Sequence, residues 1–111
     1  MRPFVLTMLF AGFITLSPAG AARADDGFTT TIRDHRFEPA EIRVPSGKRI
    51  SLTVINDDPT PEEIESRSLK IEKVIPGKSK AVVQFGPLTP GTYKFEGEFN
   101  STTAQGVVIA E

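Results

Sequence analysis

The residues of this chain best equipped for chemistry are carboxylates. Glu62, Glu63 and Glu65 crowd one short segment, Pro61-Glu62-Glu63-Ile64-Glu65, and Glu96 and Glu98 flank Gly97 in another. Carboxylate oxygens are hard anionic donors suited to iron or Cu(II), and they favour ferric over ferrous iron, so a cluster of them could assist oxidation. Softer chemistry is excluded. The 111 residues include no cysteine, which removes zinc–thiolate sites, iron–sulfur clusters and thiol nucleophiles together. The single histidine, His35, lies in Asp34-His35-Arg36, where a lone imidazole is an exposed polar group more often than a ligand. It has no serine partner in a recognisable nucleophile–base motif. Paired glutamates also serve glycoside hydrolysis, but a domain of this size has no second layer to form the cleft.

Whether those carboxylates converge depends on strand parity. Alternate side chains of an extended segment face opposite ways, which groups Glu62 with Ile64 and Glu63 with Glu65. If Ile64 enters the core, Glu62 follows it inward, and a carboxylate there needs a cation or hydrogen bonds to offset its desolvation. Tyr93, Phe95, Gly97 and Phe99 share one parity; Lys94, Glu96 and Glu98 share the other. A regular strand sends Glu96 and Glu98 to solvent, whereas a bulge at Gly97 would turn Glu98 inward. Phe85, Tyr93, Phe95 and Phe99 are expected in the core. Glu72, in Lys70-Ile71-Glu72-Lys73, is expected on a charged solvent face. Arg67, Lys70, Lys73, Lys78 and Lys80 form a diffuse basic stretch, a solvated face that could dock an acidic partner.

The elements that must position these groups read as short strands over residues 28–37, 41–44, 49–56, 62–66, 69–74, 80–85, 91–99 and 105–110. Turn signals at Pro45-Ser46-Gly47, Pro76-Gly77, Pro87 and Pro90-Gly91 punctuate them. That pattern predicts an all-β, antiparallel Greek-key sandwich in a single domain. Residues 1–24 read as a signal peptide: Arg2, an apolar run over residues 4–16, and a small-x-small cleavage site at Ala22-Arg23-Ala24. The expected product is an exported, periplasmic domain over residues 25–111, with no transmembrane anchor after cleavage. Removing Arg2 and Arg23 from 13 basic residues leaves 11 against 14 acidic ones, which gives no electrostatic case for nucleic acid.

Several pieces in order carry a family resemblance. Phe37-x-Pro39-x-x-Ile42-x-Val44-Pro45-x-Gly47 followed by Leu52-x-Val54-x-Asn56 resembles the first half of a cupredoxin. Pro90-Gly91-Thr92-Tyr93-x-Phe95 followed by Gly106-Val107-Val108-Ile109 resembles its second half. Blue-copper members hold the metal with two imidazoles, a thiolate and an axial thioether. Laid on that pattern, the first His position falls on Glu62, the Cys on Gly97, the second His near Asn100 and the Met on Ala104. The resemblance therefore implies the fold and excludes a type 1 blue-copper centre. The acidic segment is also similar to the cupredoxin-like components of bacterial high-affinity iron permeases, the EfeO-type domain. Glu63 and Glu65 match the Glu-x-Glu of that group, and Glu62 stands at its His position.

That resemblance implies Glu62, Glu63 and Glu65 as ligands of an iron or copper ion, and Glu98 and Glu96 on the facing segment complete the expected metal set, with a membrane iron permease or another periplasmic uptake component as partner. The expected role is periplasmic metal capture by a non-enzymatic component, with a ferroxidase-type step as its one enzymatic extension. The competing expectation is a metal-free β-sandwich adaptor subunit. A copper chaperone is disfavoured because Met1 and Met8 both precede the cleavage site.

Overall fold

The computed structural model describes residues 27–111, so the expected signal peptide lies outside the described residues. Nine strands fill the described chain: β1 (Phe28–Arg33), β2 (Arg36–Glu38), β3 (Glu41–Val44), β4 (Ile50–Asn56), β5 (Glu62–Ser66), β6 (Ile71–Ile75), β7 (Ser79–Phe85), β8 (Gly91–Gly97) and β9 (Gln105–Ala110). The one helical element among them is a 3-10 turn, Glu98–Asn100. The strands form a four-stranded sheet, β2-β1-β4-β7, and a five-stranded sheet, β3-β9-β8-β5-β6.

Alternation builds the core between the two sheets. Along β4 the buried positions Ile50, Leu52, Val54 and Asn56 alternate with half-buried ones. Ile32, Ile64, Ile75, Phe85, Phe95 and Val108 complete the interior. Phe37 and Phe95 meet edge to face with centroids 4.9 Å apart, a geometry that adds to burial alone.

Three expectations are corrected. Both sheets are mixed rather than antiparallel throughout: β1 runs parallel to β4, and β3 parallel to β9. The cause is the chain crossing from one sheet to the other between β2 and β3. The segment 28–37 is not one strand but a hairpin, because Asp34 and His35 adopt positive φ of 56° and 59°. Non-glycine residues rarely occupy that region, and the buried Asp58 carboxylate stabilises them by accepting both amides, from Asp34 at 2.8 Å and His35 at 2.9 Å. Finally, Phe99 is not core: β8 stops at Gly97, the 3-10 turn breaks the alternation, and Phe99 stands 52% exposed.

Candidate functional site

β5 carries the central carboxylates, and its parity separates them. Glu62, Ile64 and Ser66 point inward, while Glu63 and Glu65 point out. The approach to β5 is set by Asn56, whose side-chain amide donates to the carbonyls of Thr60 and Ile75 at 2.9 and 3.0 Å and whose oxygen accepts from the Asp58 amide at 3.1 Å. This ties residues 57–61 to the sandwich and delivers Glu62 at the end of the core.

Glu62 is only 1% exposed, and hydrogen bonds offset its desolvation. Its Oε1 accepts from the backbone amides of Glu63 at 2.9 Å and Phe99 at 2.8 Å, and its Oε2 accepts from Asn100 Nδ2 at 2.7 Å. The Asn100 carbonyl in turn accepts the Ala104 amide at 2.8 Å, and the Gly97 amide donates to the Ala104 carbonyl at 2.9 Å. The four positions Glu62, Gly97, Asn100 and Ala104 therefore do converge. What fills their meeting point is the Glu62 carboxylate: a Cβ on Gly97 would lie 2.7 Å from Glu62 Cδ and 2.7 Å from Ala104 Cβ. These residues do not fit a copper ion. They offer no sulfur or imidazole, and the carboxylate is already engaged by the loop between β8 and β9.

The remaining carboxylates share the outer face of the five-stranded sheet. Glu65 lies directly opposite Glu72 on β6 and Glu96 on β8, a lateral row of three acids on adjacent strands. Glu63 sits two residues along β5 from Glu65, and Glu98 follows at the start of the 3-10 turn. The crowding is felt. Partial desolvation, a hydrogen bond with Glu72 and the charges of Glu98, Glu72 and Glu65 push the Glu63 carboxyl above the usual range. Partial desolvation and the charges of Glu98, Glu72 and Glu96 do the same to Glu65. Of the five glutamates expected as one metal set, the structure thus brings together Glu63, Glu65, Glu96 and Glu98 and separates Glu62 from them. Glu72 is the member the sequence reading assigned to bland solvent exposure. Only the β5–β6 hairpin register, with Glu65 facing Glu72, could have flagged it. As their side chains lie, no group of three or more His, Cys, Asp or Glu among the described residues is arranged to hold a metal ion.

His35 belongs to neither set. Its side chain is 47% exposed, with Nδ1 3.5 Å from Asp58 Oδ2. Its carbonyl accepts Thr103 Oγ1 at 2.6 Å, so its main contribution is to pin the hairpin to the β8–β9 loop. Burial raises the Asp58 pKa, but the His35 and Asp34 amides and the charges of His35 and Lys78 outweigh it, leaving Asp58 below the ordinary aspartate range.

A family model for the cupredoxin-like domain matches residues 5–110. The chain belongs to the cupredoxin-like domain family. An uncharacterized protein of Rickettsia prowazekii (strain Madrid E) is 40% identical over 79 residues, which cover 71% of this chain and 63% of that protein. The chain thus spans less than two thirds of that relative's length. Solved structures share the cupredoxin-like fold. The metal-binding domain of the Cu(I)-exporting P-type ATPase CopA of Streptococcus pneumoniae, with Cu(I), superposes with a TM-score of 0.67 at 19% identity, over 76% of this chain and 83% of that one. A Cu(I) methionine-to-alanine mutant of amicyanin gives 0.62 at 19% identity, over 76% and 81%. A purple cupredoxin from Nitrosopumilus maritimus gives 0.59 at 19% identity, over 77% and 100%. At these identities the likeness is one of fold.

Proposed function

We propose that this chain is an exported cupredoxin-like protein that collects a hard metal cation, iron foremost and Cu(II) second, on its outer carboxylate face and serves a membrane metal-uptake permease. The observation that carries the proposal is the row Glu72–Glu65–Glu96, with Glu63 and Glu98 beside it. Like charges directly opposite one another across strands are destabilising, and the Glu63 and Glu65 carboxyls are displaced upward by partial desolvation first and by the neighbouring carboxylates second. A bound cation offsets that repulsion, and oxygen donors suit iron better than Cu(I). The placement in the periplasm rests on the signal-peptide pattern of residues 1–24. The link to an iron permease of the EfeO-type group rests on the Glu63-x-Glu65 match. Glu62 is outside this cation face; its role is to close the end of the sandwich.

A second reading, a metal-free adaptor for a membrane complex, is favoured by one specific observation: the interior metal position is sealed by a hydrogen-bonded carboxylate. Calorimetric titration separates the two. The protein is titrated with Cu(II) and, anaerobically, with Fe(II), beside the variants E63Q/E65Q/E72Q and E62Q. The cation reading expects saturable, near-stoichiometric uptake that the triple variant loses and E62Q keeps. No uptake of either metal by the intact protein overturns it in favour of the adaptor.

A further inference from the structure

The four strands at the sheet margins are not alike. β2 has three residues and runs into Pro39, and β3 has four and runs into Pro45. β6 has five, carries Glu72 and Lys73, and runs into Pro76. Short length, charge and proline are the means by which native edges avoid further pairing. β7 is the exception. Its seven residues contain no proline, and it keeps unbroken register with β4, from Asn56 opposite Ser79 to Ile50 opposite Phe85. β6 packs against β7 from the other sheet, next to the crossover at Pro76-Gly77-Lys78, but it pairs with β5 alone.

The backbone direction along β7 follows from a contact on the far side of β4. The Asp57 amide donates to the Ile32 carbonyl on β1 at 2.9 Å. Backbone groups alternate sides along a strand, so Ile55, Thr53 and Ser51 also face β1, while Asn56, Val54, Leu52 and Ile50 face β7. The residues opposite those four are Ser79, Ala81, Val83 and Phe85. The amides and carbonyls of Lys80, Val82 and Gln84 therefore point away from β4, past the margin of the sheet. Among the described residues no strand pairs with them. The side chains of the same three residues are exposed on the outer face, Val82 to 55%.

We infer that two copies of this chain pair through β7, antiparallel about a two-fold axis at Val82, and so join their four-stranded sheets. The sequence of the edge selects a second copy because it is complementary to itself in that register. Val82 meets the partner's Val82, which covers the exposed aliphatic side chain of each. Lys80 meets the partner's Gln84, and the reverse pair repeats across the axis, so all three outward-facing residues are engaged and no like charges stand opposite. Gln84 Nε2 donates to Ser51 Oγ at 3.1 Å, which leaves its Oε1 to accept from the ammonium. Sliding the register two residues toward Lys80 loses the Gln84 pair and brings the two lysines onto neighbouring positions. The joined sheet ends on β2 at both margins, where three residues and Pro39 stop further growth, so the assembly closes at two. The inference is independent of the cation proposal, because the outer carboxylates lie on the other sheet.

The test is sedimentation equilibrium on the protein, with amide exchange by NMR at low and high concentration. A monomer–dimer equilibrium is expected. The Lys80, Val82 and Gln84 amides should gain protection as the dimer forms, while those of Ala81 and Val83 are protected throughout. Q84K sets lysines opposite one another twice and should weaken the dimer about fivefold or more. The double variant K80E/Q84K, which sets opposite charges across the axis, should restore it. V82K, at an exposed position, should abolish it with the circular dichroism of the fold unchanged. A protein still monomeric at about 1 mM overturns the inference. So does a dimer indifferent to Q84K and V82K, a double variant no tighter than Q84K, or a dimer in which the three amides stay unprotected.

Discussion

Glu62 and Glu63 are neighbours in sequence with the same side chain, yet they occupy opposite electrostatic situations. Glu62 is enclosed and receives hydrogen bonds from two backbone amides and one side-chain amide. Glu63, one residue on, faces out among Glu65, Glu72 and Glu98, where partial desolvation and then those neighbours raise its pKa. A carboxylate's role here is set by which donors surround it, not by being acidic or by its place in a motif. The inner carboxylate is hydrogen-bonded by the fold and holds the β8–β9 loop. The outer ones are left with a charge that the fold does not neutralise.

The sharpest way to break that comparison is to remove the inner carboxylate. E62A strands the Phe99 amide and the Asn100 side chain without their acceptor and should cost about 3 kcal/mol or more by urea denaturation. A loss below about 1 kcal/mol would mean that the Glu62 contacts are not what closes this end. Next in size is G97A. Its new methyl group would meet Glu62 and Ala104 at 2.7 Å, and overpacking of that kind costs about 1–3 kcal/mol. In the double variant E62A/G97A part of that cost should vanish, because the obstructing carboxylate is gone; strict additivity in the cycle would show that the two positions do not touch.

On the outer face the signs reverse. In metal-free buffer at neutral pH, E65Q should leave stability unchanged or slightly raised, since it removes the central charge of a like-charged row. A marked loss would mean the row is held by something other than repulsion. The pH dependence sharpens the contrast further. Asp58 has a depressed pKa in the fold, so its contribution is present above the unfolded aspartate pKa and is lost as pH falls through the folded value. Glu63 and Glu65 have raised values, so the stability linked to them is fully present below the unfolded glutamate pKa and is lost as pH rises through the folded ones. Denaturation midpoints from neutral to strongly acidic pH should show D58N flattening the acid-side loss, and E63Q/E65Q flattening the mildly acidic gain. Identical profiles for wild type and both variants would remove the electrostatic distinction between the two regions.

Much of this was legible along the chain. The alternation in Glu62-Glu63-Ile64-Glu65 fixed which acids travel with Ile64, and it correctly sent Glu62 inward and Glu96 outward. The family resemblance, counted along the chain, set Glu62 beside Gly97, the neighbourhood of Asn100 and Ala104, and the structure does bring these positions together. Less legible were features that depend on a second segment. Asp34 and His35 look like strand continuation until Asp58, 24 and 23 residues away, supplies the acceptor for their amides. Phe99 looks like core until the Glu62 carboxylate captures its amide in the 3-10 turn. Glu72 looks like ordinary surface until hairpin register sets it beside Glu65.

Period-two alternation, turn residues and composition are local properties of a chain, and they sufficed for the all-β sandwich, the inward path of Glu62 and the lack of any thiolate. That Phe99 and Asn100 satisfy Glu62, and that Glu72 joins the outer acids, came from the folded arrangement alone. Those outcomes depend on which residue lies across from which, and cross-strand register is fixed by packing between distant segments rather than by any one of them.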